Sequence, residues 1–193
     1  MIKLLWFFGV FYGTGLLAKP MTLEFAFQQL RGIPEDYRVG GTICERVGEL
    51  ILKEKYDRRD YRIHMGLIYR NSKRVLGELD LVVTRKEDGE AVEVVEVKCW
   101  KNLGKAARKA ESQLNRFLDH VDSGDAFKMY SGRQPGRRFF RSQFDEDPTP
   151  KKMAQKGALS AGFHYELPFT LKQIFQLRSR LMNCQRAGMC PQP

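Results

Sequence analysis

Residues 77–98 read GELDLVVTRKEDGEAVEVVEVK. Two valine-rich runs flank a polar turn, KEDGE, which predicts a hairpin with strands near 78–84 and 92–98. Charged residues interrupt both runs where a half-buried strand calls for apolar ones: Asp80 in the first, Glu96 and Lys98 in the second. Strand side chains alternate between faces, so Glu78, Asp80 and Val82 share one face opposite Leu79, Leu81 and Val83. Likewise Val92, Val94, Glu96 and Lys98 share a face opposite Val95, Val97 and Cys99. A hairpin centred on Asp88 sets Asp80 against Glu96 and Glu78 against Lys98. Directly opposed side chains have Cβ atoms about 4.5 to 5.5 Å apart. Two carboxylates at that range repel unless a cation separates them. Oxygen donors suit a hard ion, Mg²⁺ with Mn²⁺ as substitute, and the backbone carbonyl of Val97 can join Asp80 and Glu96 as a ligand. Lys98 then points into the site, where an ammonium can orient an attacking water and stabilise charge on phosphorus, or, with its pKa lowered beside a metal, help deprotonate that water. The plainer reading makes these residues exposed cross-strand ion pairs, but Val82, Val92 and Val94 on the same face argue for burial.

Upstream, GGTICERVGELILKEKY places Ile43, Val47, Leu50 and Ile51 at helical spacing, with Thr42 as the expected cap. Glu45 and Glu49 lie one turn apart on this helix, and either could add a carboxylate to the site. YRIHMGLIYRN reads as a strand, and Gly77 permits close approach or ends a turn. Glu24 to Leu30 is a short amphipathic run closed by RGIPEDY. Downstream, NLGKAARKAESQLNRFLDHV gives a long helix with Ala106, Ala110, Leu114 and Phe117 as its apolar stripe. Lys105, Arg108, Lys109 and Arg116 surround that stripe with positive charge. Residues 131–157 are rich in Gly, Pro and charge, and part of them reads as loop. There Arg133, Arg137, Arg138 and Arg141, with Phe139 and Phe140, either grip and stack on nucleic acid or form a strand core with a solvated edge. GFHYELPF reads as a last strand and TLKQIFQLRSRLM as a closing helix.

The chain of 193 residues suits one domain, taken as 21–183, with a tail at 184–193. Its net charge of +10 and pI near 9.6 favour a polyanionic partner. The excess is uneven: residues 51–76 carry eight Lys or Arg against three acids, and 101–156 carry thirteen against seven, flanking the hairpin on both sides. The four cysteines and three histidines show no CxxC or HxxxH spacing, which argues against zinc. Cys184 and Cys190 could pair in an exported protein, whereas Cys44 and Cys99, in apolar settings, read as core thiols. Residues 1–20, MIKLLWFFGVFYGTGLLAKP, form an apolar segment of signal-peptide length. Export, a peripheral membrane or packing segment, and sequence upstream of the true start are all compatible with it. The expected location is cytoplasmic, with export as the alternative.

Glu45 on a helix, then Gly77-Glu78-Leu79-Asp80, then Glu96-Val97-Lys98, then a basic helix holding Gln113 together resemble the PD-(D/E)xK nuclease superfamily. Arg70-Asn71 followed by GELDLV and VVEVK is similar to a group of small bacterial proteins related to archaeal Holliday-junction resolvases. The resemblance spans less than half the chain. It implies an α/β fold with a central mixed β-sheet flanked by helices, a restriction-endonuclease-like core. It also implies a Mg²⁺-dependent deoxyribonuclease, an endonuclease, in which Asp80 and Glu96 hold the metal, Lys98 serves the nucleophilic water and Glu45 assists. Leu79 stands where the family's leading motif has proline, and Phe117 follows Gln113 where nucleases of the RecB type have tyrosine. Lys105, Arg108, Lys109, Gln113 and Arg116, with the arginines of 133–141, would contact DNA phosphates. Action on a four-way junction would call for a homodimer. The alternative is a catalytically inactive nucleic-acid-binding module on the same scaffold.

Overall fold

The structure, a computed structural model, describes residues 21–124, 127–133, 136 and 138–193. The apolar segment 1–20 and Arg137 lie outside the described residues. Four helices, α1 (Leu23–Leu30), α2 (Thr42–Lys55), α3 (Leu103–Asp122) and α4 (Leu171–Arg186), flank one seven-stranded sheet. Its strands are β1 (Tyr61–Arg70), β2 (Val75–Arg85), β3 (Ala91–Val97), β4 (Lys128–Ser131), β5 (Arg138–Phe139), β6 (Thr149–Ala154) and β7 (Tyr165–Glu166). Spatial order is β5-β4-β1-β2-β3-β6-β7, antiparallel from β5 to β3 and parallel from β3 through β6 to β7. Adjacent parallel strands need a long crossover, and α3 lies within the one joining β3 to β6. The result is an α/β architecture, a mixed sheet between helical layers. No helix among the described residues is long and apolar enough to cross a membrane.

Each face of the sheet buries its own core. Val47, Ile43 and Leu52 of α2 meet Leu81, Val83, Val95 and Val97 of the sheet, with Ala26 and Leu30 of α1 and Ile174, Leu177 and Leu181 of α4. On the opposite face Leu114, Phe117 and Val121 of α3 cover Val82 and Val94 with Leu67 and Tyr69. The helix ends follow local chemistry. Thr22, Asn102 and Thr170 accept backbone N–H groups of the first turns of α1, α3 and α4, satisfying donors that the helix leaves open. At α2 the expected Thr42 cap is replaced: Gly41 holds the cap position without a side-chain bond, and Thr42 is buried as the first helical residue.

The hairpin register is the expected one over its centre, with Leu81 opposite Val95, Val82 opposite Val94 and Val83 opposite Glu93. Two positions depart from strict alternation. Val92, expected beside Val94, packs on the α2 side, because the ladder shifts between Val83 and Thr84 and leaves it unmatched. Leu79, expected beside Leu81, packs on the α3 side with Leu67. The cause lies in the neighbouring strand. Gly66 has a φ of 60°, and β1 changes face there, so Met65 and its partner Leu81 point to one core while Leu67 and its partner Leu79 point to the other. Asp80 sits between Leu79 and Leu81, where the strand turns over.

Other expectations need correction. β6 falls inside 131–157, where Pro150, Lys151 and Lys152 hide its strand character; its pairing with β3 supplies what the side-chain pattern lacks. GFHYELPF contributes only the two residues of β7. Cys184 and Cys190 are bonded, but Cys44 and Cys99 are not core thiols: they are bonded to each other, with Cα atoms 6.3 Å apart, because α2 packs across the end of β3. Gly77 makes room within the protein, since a Cβ there would lie 2.4 Å from the Tyr69 hydroxyl oxygen. At the far end of β3 the buried Glu93 accepts from Lys55, Tyr56 and Tyr165 at 3.0, 3.0 and 2.7 Å, tying α2 and β7 to the sheet.

Candidate active site

Asp80, Glu96 and Lys98 come together at the end of the β2–β3 hairpin. Asp80 is 8% exposed and Glu96 fully buried. The Val97 N–H donates to Asp80 Oδ2 at 2.7 Å, so β3 backbone fixes the carboxylate carried by β2. Lys98 Nζ lies between the acids, 3.3 Å from Asp80 Oδ2 and in direct contact with Glu96 Oε1, and donates to the Val97 carbonyl at 3.4 Å. Its backbone N–H bonds the Met153 carbonyl at 2.9 Å, so the unanticipated strand β6 anchors the end of β3 from which Lys98 projects.

α2 supplies the third acid. Glu45, in its first turn, faces Asp80, whereas Glu49 one turn later pairs with Arg46 at 2.9 Å and Lys53 at 2.8 Å. The helix phase that buries Val47 against the sheet decides between them. Glu45 does not stand free: the Arg133 guanidinium, carried by the turn after β4, binds its Oε2 through Nη2 and reaches Glu35 Oε2 through Nη1 at 2.6 Å. Glu35 is also held by Arg46, whose Nε donates at 2.8 Å. Glu78 flanks the same space, its Oε1 and the Arg133 Nε both lying against Gly66.

The electrostatics follow from burial. Desolvation, then the Asp80 charge, pushes Glu96 up to about 8 against the opposing pull of Lys98. Burial and Asp80 likewise raise Glu45 to about 7, with Arg133 opposing. Glu78 is raised by burial and by Asp80. For Lys98, burial acts to lower the pKa, but the Asp80 and Glu96 carboxylates outweigh it and the net shift is upward. Lys98 is thus held as an ammonium, suited to orienting a water and meeting negative charge rather than to accepting a proton.

Among the described residues no three acidic, histidine or cysteine side chains converge into a set ready to hold a metal ion. Lys98 and Arg133 occupy the intervening space instead. The donor chemistry nevertheless fits a hard cation. Glu96 Oε2 is buried without a hydrogen-bond partner, and with Asp80 and the Val97 carbonyl it makes an all-oxygen set.

The expected DNA-contacting residues are dispersed. Lys105, Arg108, Lys109 and Arg116 are exposed along α3, and Gln113 is half-buried on the same helix. The Arg116 charge lies near the Tyr69 hydroxyl and opposes the upward push of burial on its pKa. Arg138 is exposed on β5. Arg141 donates to the Val121 carbonyl at 2.8 Å, closing the last turn of α3, and pairs with Asp145 at 3.4 Å. Phe139 is buried as core, while Phe140 is 67% exposed. Sequence reasoning missed Glu35 altogether and placed Arg133 on a loop surface. Neither carries a local signal, because their meeting depends on β4 docking beside β1. No protein-family model, curated protein sequence or solved structure matches this chain.

Proposed function

We propose that the chain is a Mg²⁺-dependent nuclease of the PD-(D/E)xK kind that hydrolyses phosphodiester bonds in DNA, with Asp80, Glu96 and Lys98 as its centre. The observation that carries this reading is the buried Asp80–Lys98–Glu96 group with an unpartnered Glu96 Oε2. Burying two adjacent carboxylates with one ammonium costs stability, and such arrangements concentrate where function requires them. The order α2, three antiparallel strands and α3, followed after the edge strands β4 and β5 by a strand parallel to β3, supports the finer reading of a restriction-endonuclease-like core.

Asp80, Glu96 and the Val97 carbonyl would hold the ion, which when bound supplies charge neutralisation at the phosphate oxygens and acidifies a coordinated water. Lys98 orients the water for attack on phosphorus and faces the negative charge that develops there. Glu45, raised to about 7, is placed to take a proton near neutral pH. Exposed Lys105, Arg108 and Lys109 hold the strand through phosphate, giving affinity with little sequence preference. The two disulfides favour the exported alternative, since such bonds persist in oxidising compartments.

The test is calorimetric titration of Mg²⁺ into the protein and its Asp80→Ala variant, followed by cleavage of labelled linear and branched DNA with both. Mg²⁺ binding and cleavage that disappear together in the variant would support the proposal. A second reading, an inactive DNA-binding module, draws on Lys98 and Arg133, which already pair with the acids of the cluster, and on the basic face of α3. Salt-dependent DNA binding by both proteins, with Mg²⁺ binding by neither, would establish that reading in place of catalysis.

A further inference from the structure

Arg133 is the one guanidinium that reaches the acid cluster from outside the hairpin and α2 among the described residues, and its position poses a question of charge. Its backbone is fixed beside the turnover of β1: the Gly132 N–H bonds the Gly66 carbonyl at 2.8 Å, and the Arg133 N–H bonds Ser131 Oγ at 3.2 Å. From that anchor the side chain, 19% exposed, spans Glu35 and Glu45. The two carboxylates are not equivalent. If the guanidinium left, Glu35 would keep Arg46, which already binds it. Glu45 would be left with no partner of its own while facing Asp80. Removing Arg133 therefore uncovers one carboxylate, and that carboxylate borders the proposed metal ligands.

We propose that Arg133 is a substrate-phosphate contact held in reserve: its guanidinium neutralises Glu45 in the empty site and transfers to a DNA phosphate when a divalent cation enters. The inference rests on the nuclease reading and extends it to a coupling between metal and DNA. Cation and guanidinium compete for the same negative charge, so each weakens the other's hold on the cluster. Once a divalent ion sits beside Asp80, Arg133 faces like charge on one side. A phosphate in the site offers it a planar, two-oxygen partner on the other. Bound cation thereby raises affinity for DNA beyond its own contacts, and no full exposure of the acid cluster is required at any stage.

The experiment uses the full chain and its Arg133→Gln, Arg133→Lys and Asp80→Ala variants, with thermal melts to establish that each is folded. Calorimetry with MgCl₂ alone should show Arg133→Gln binding about tenfold tighter or more than the parent, as expected when a competing unit charge is removed from a partly buried cluster, with Arg133→Lys close to the parent. Anisotropy with a short labelled duplex, using Ca²⁺ as the hard cation, should show that Arg133→Gln weakens DNA binding and lowers the salt slope by about one, but only when the cation is present. Unchanged or weaker Mg²⁺ affinity in Arg133→Gln, or the same DNA deficit with and without Ca²⁺, would overturn the inference. If Asp80→Ala abolishes Mg²⁺ binding while Arg133→Gln leaves it unaltered, this inference fails and the nuclease reading stands. If neither the parent nor any variant, Arg133→Gln included, binds Mg²⁺, both fall.

Discussion

Replacing Glu96 by glutamine should stabilise the metal-free protein, and by an amount that depends on pH in a predictable direction. Glu96 is fully buried, its Oε2 has no partner, and its pKa rises from an ordinary 4.5 to about 8. A raised folded pKa means that the folded state holds a proton the unfolded chain has released. The associated stability is complete below pH 4.5 and is lost as pH climbs through about 8. Each pH unit in that window is worth about 1.4 kcal/mol for one proton, so the total approaches a ceiling of roughly 4 to 5 kcal/mol. That figure already includes the attraction of Lys98 to the ionised Glu96, which holds the rise below what burial and Asp80 would give without it. Glu96→Gln preserves shape and has no proton to lose. Its advantage over the parent should be near zero in acid, grow across the window and level off above it. Urea denaturation in EDTA at several pH values measures this directly, and the Glu45 titration, present in both proteins, largely cancels in the difference. Adding Mg²⁺ at about a hundred times its dissociation constant should restore about 2.7 kcal/mol to the parent and nothing to the variant. A difference that is flat, or that shrinks as pH rises, would refute the assignment of Glu96 as a buried, destabilising carboxylate.

The two disulfides should differ in worth. Cys44–Cys99 closes a separation of 55 residues and Cys184–Cys190 one of 6, so chain entropy assigns about 4 kcal/mol to the first and roughly 2 kcal/mol to the second; denaturation midpoints of Cys44→Ser and Cys184→Ser falling in the reverse order would contradict the fold's long-range closure. Gly77→Ala should cost about 1 to 3 kcal/mol by forcing Tyr69 from its place, and an unchanged melting curve would mean that the Tyr69 ring does not lie against residue 77 as the structure has it.

Alternation along 77–98 was enough to bring Asp80, Glu96 and Lys98 together and to predict the central register, because strand period and turn position are local properties. Apolar spacing likewise located α2 and α3 with their buried faces. What alternation could not supply was the turnover at Asp80. That depends on Gly66 in the neighbouring strand, and it lets one carboxylate meet Glu96 on its own hairpin and Glu45 on α2. The choice of Glu45 over Glu49 required the phase of α2 against the sheet. Arg133 reached the acids only because β4 pairs with β1, Cys44 met Cys99 only because α2 crosses the end of β3, and β6 became a strand through its pairing with β3 despite Pro150 and two lysines. Each of these joins residues far apart in the chain, and their contact is set by how layers pack rather than by any pattern within a single segment.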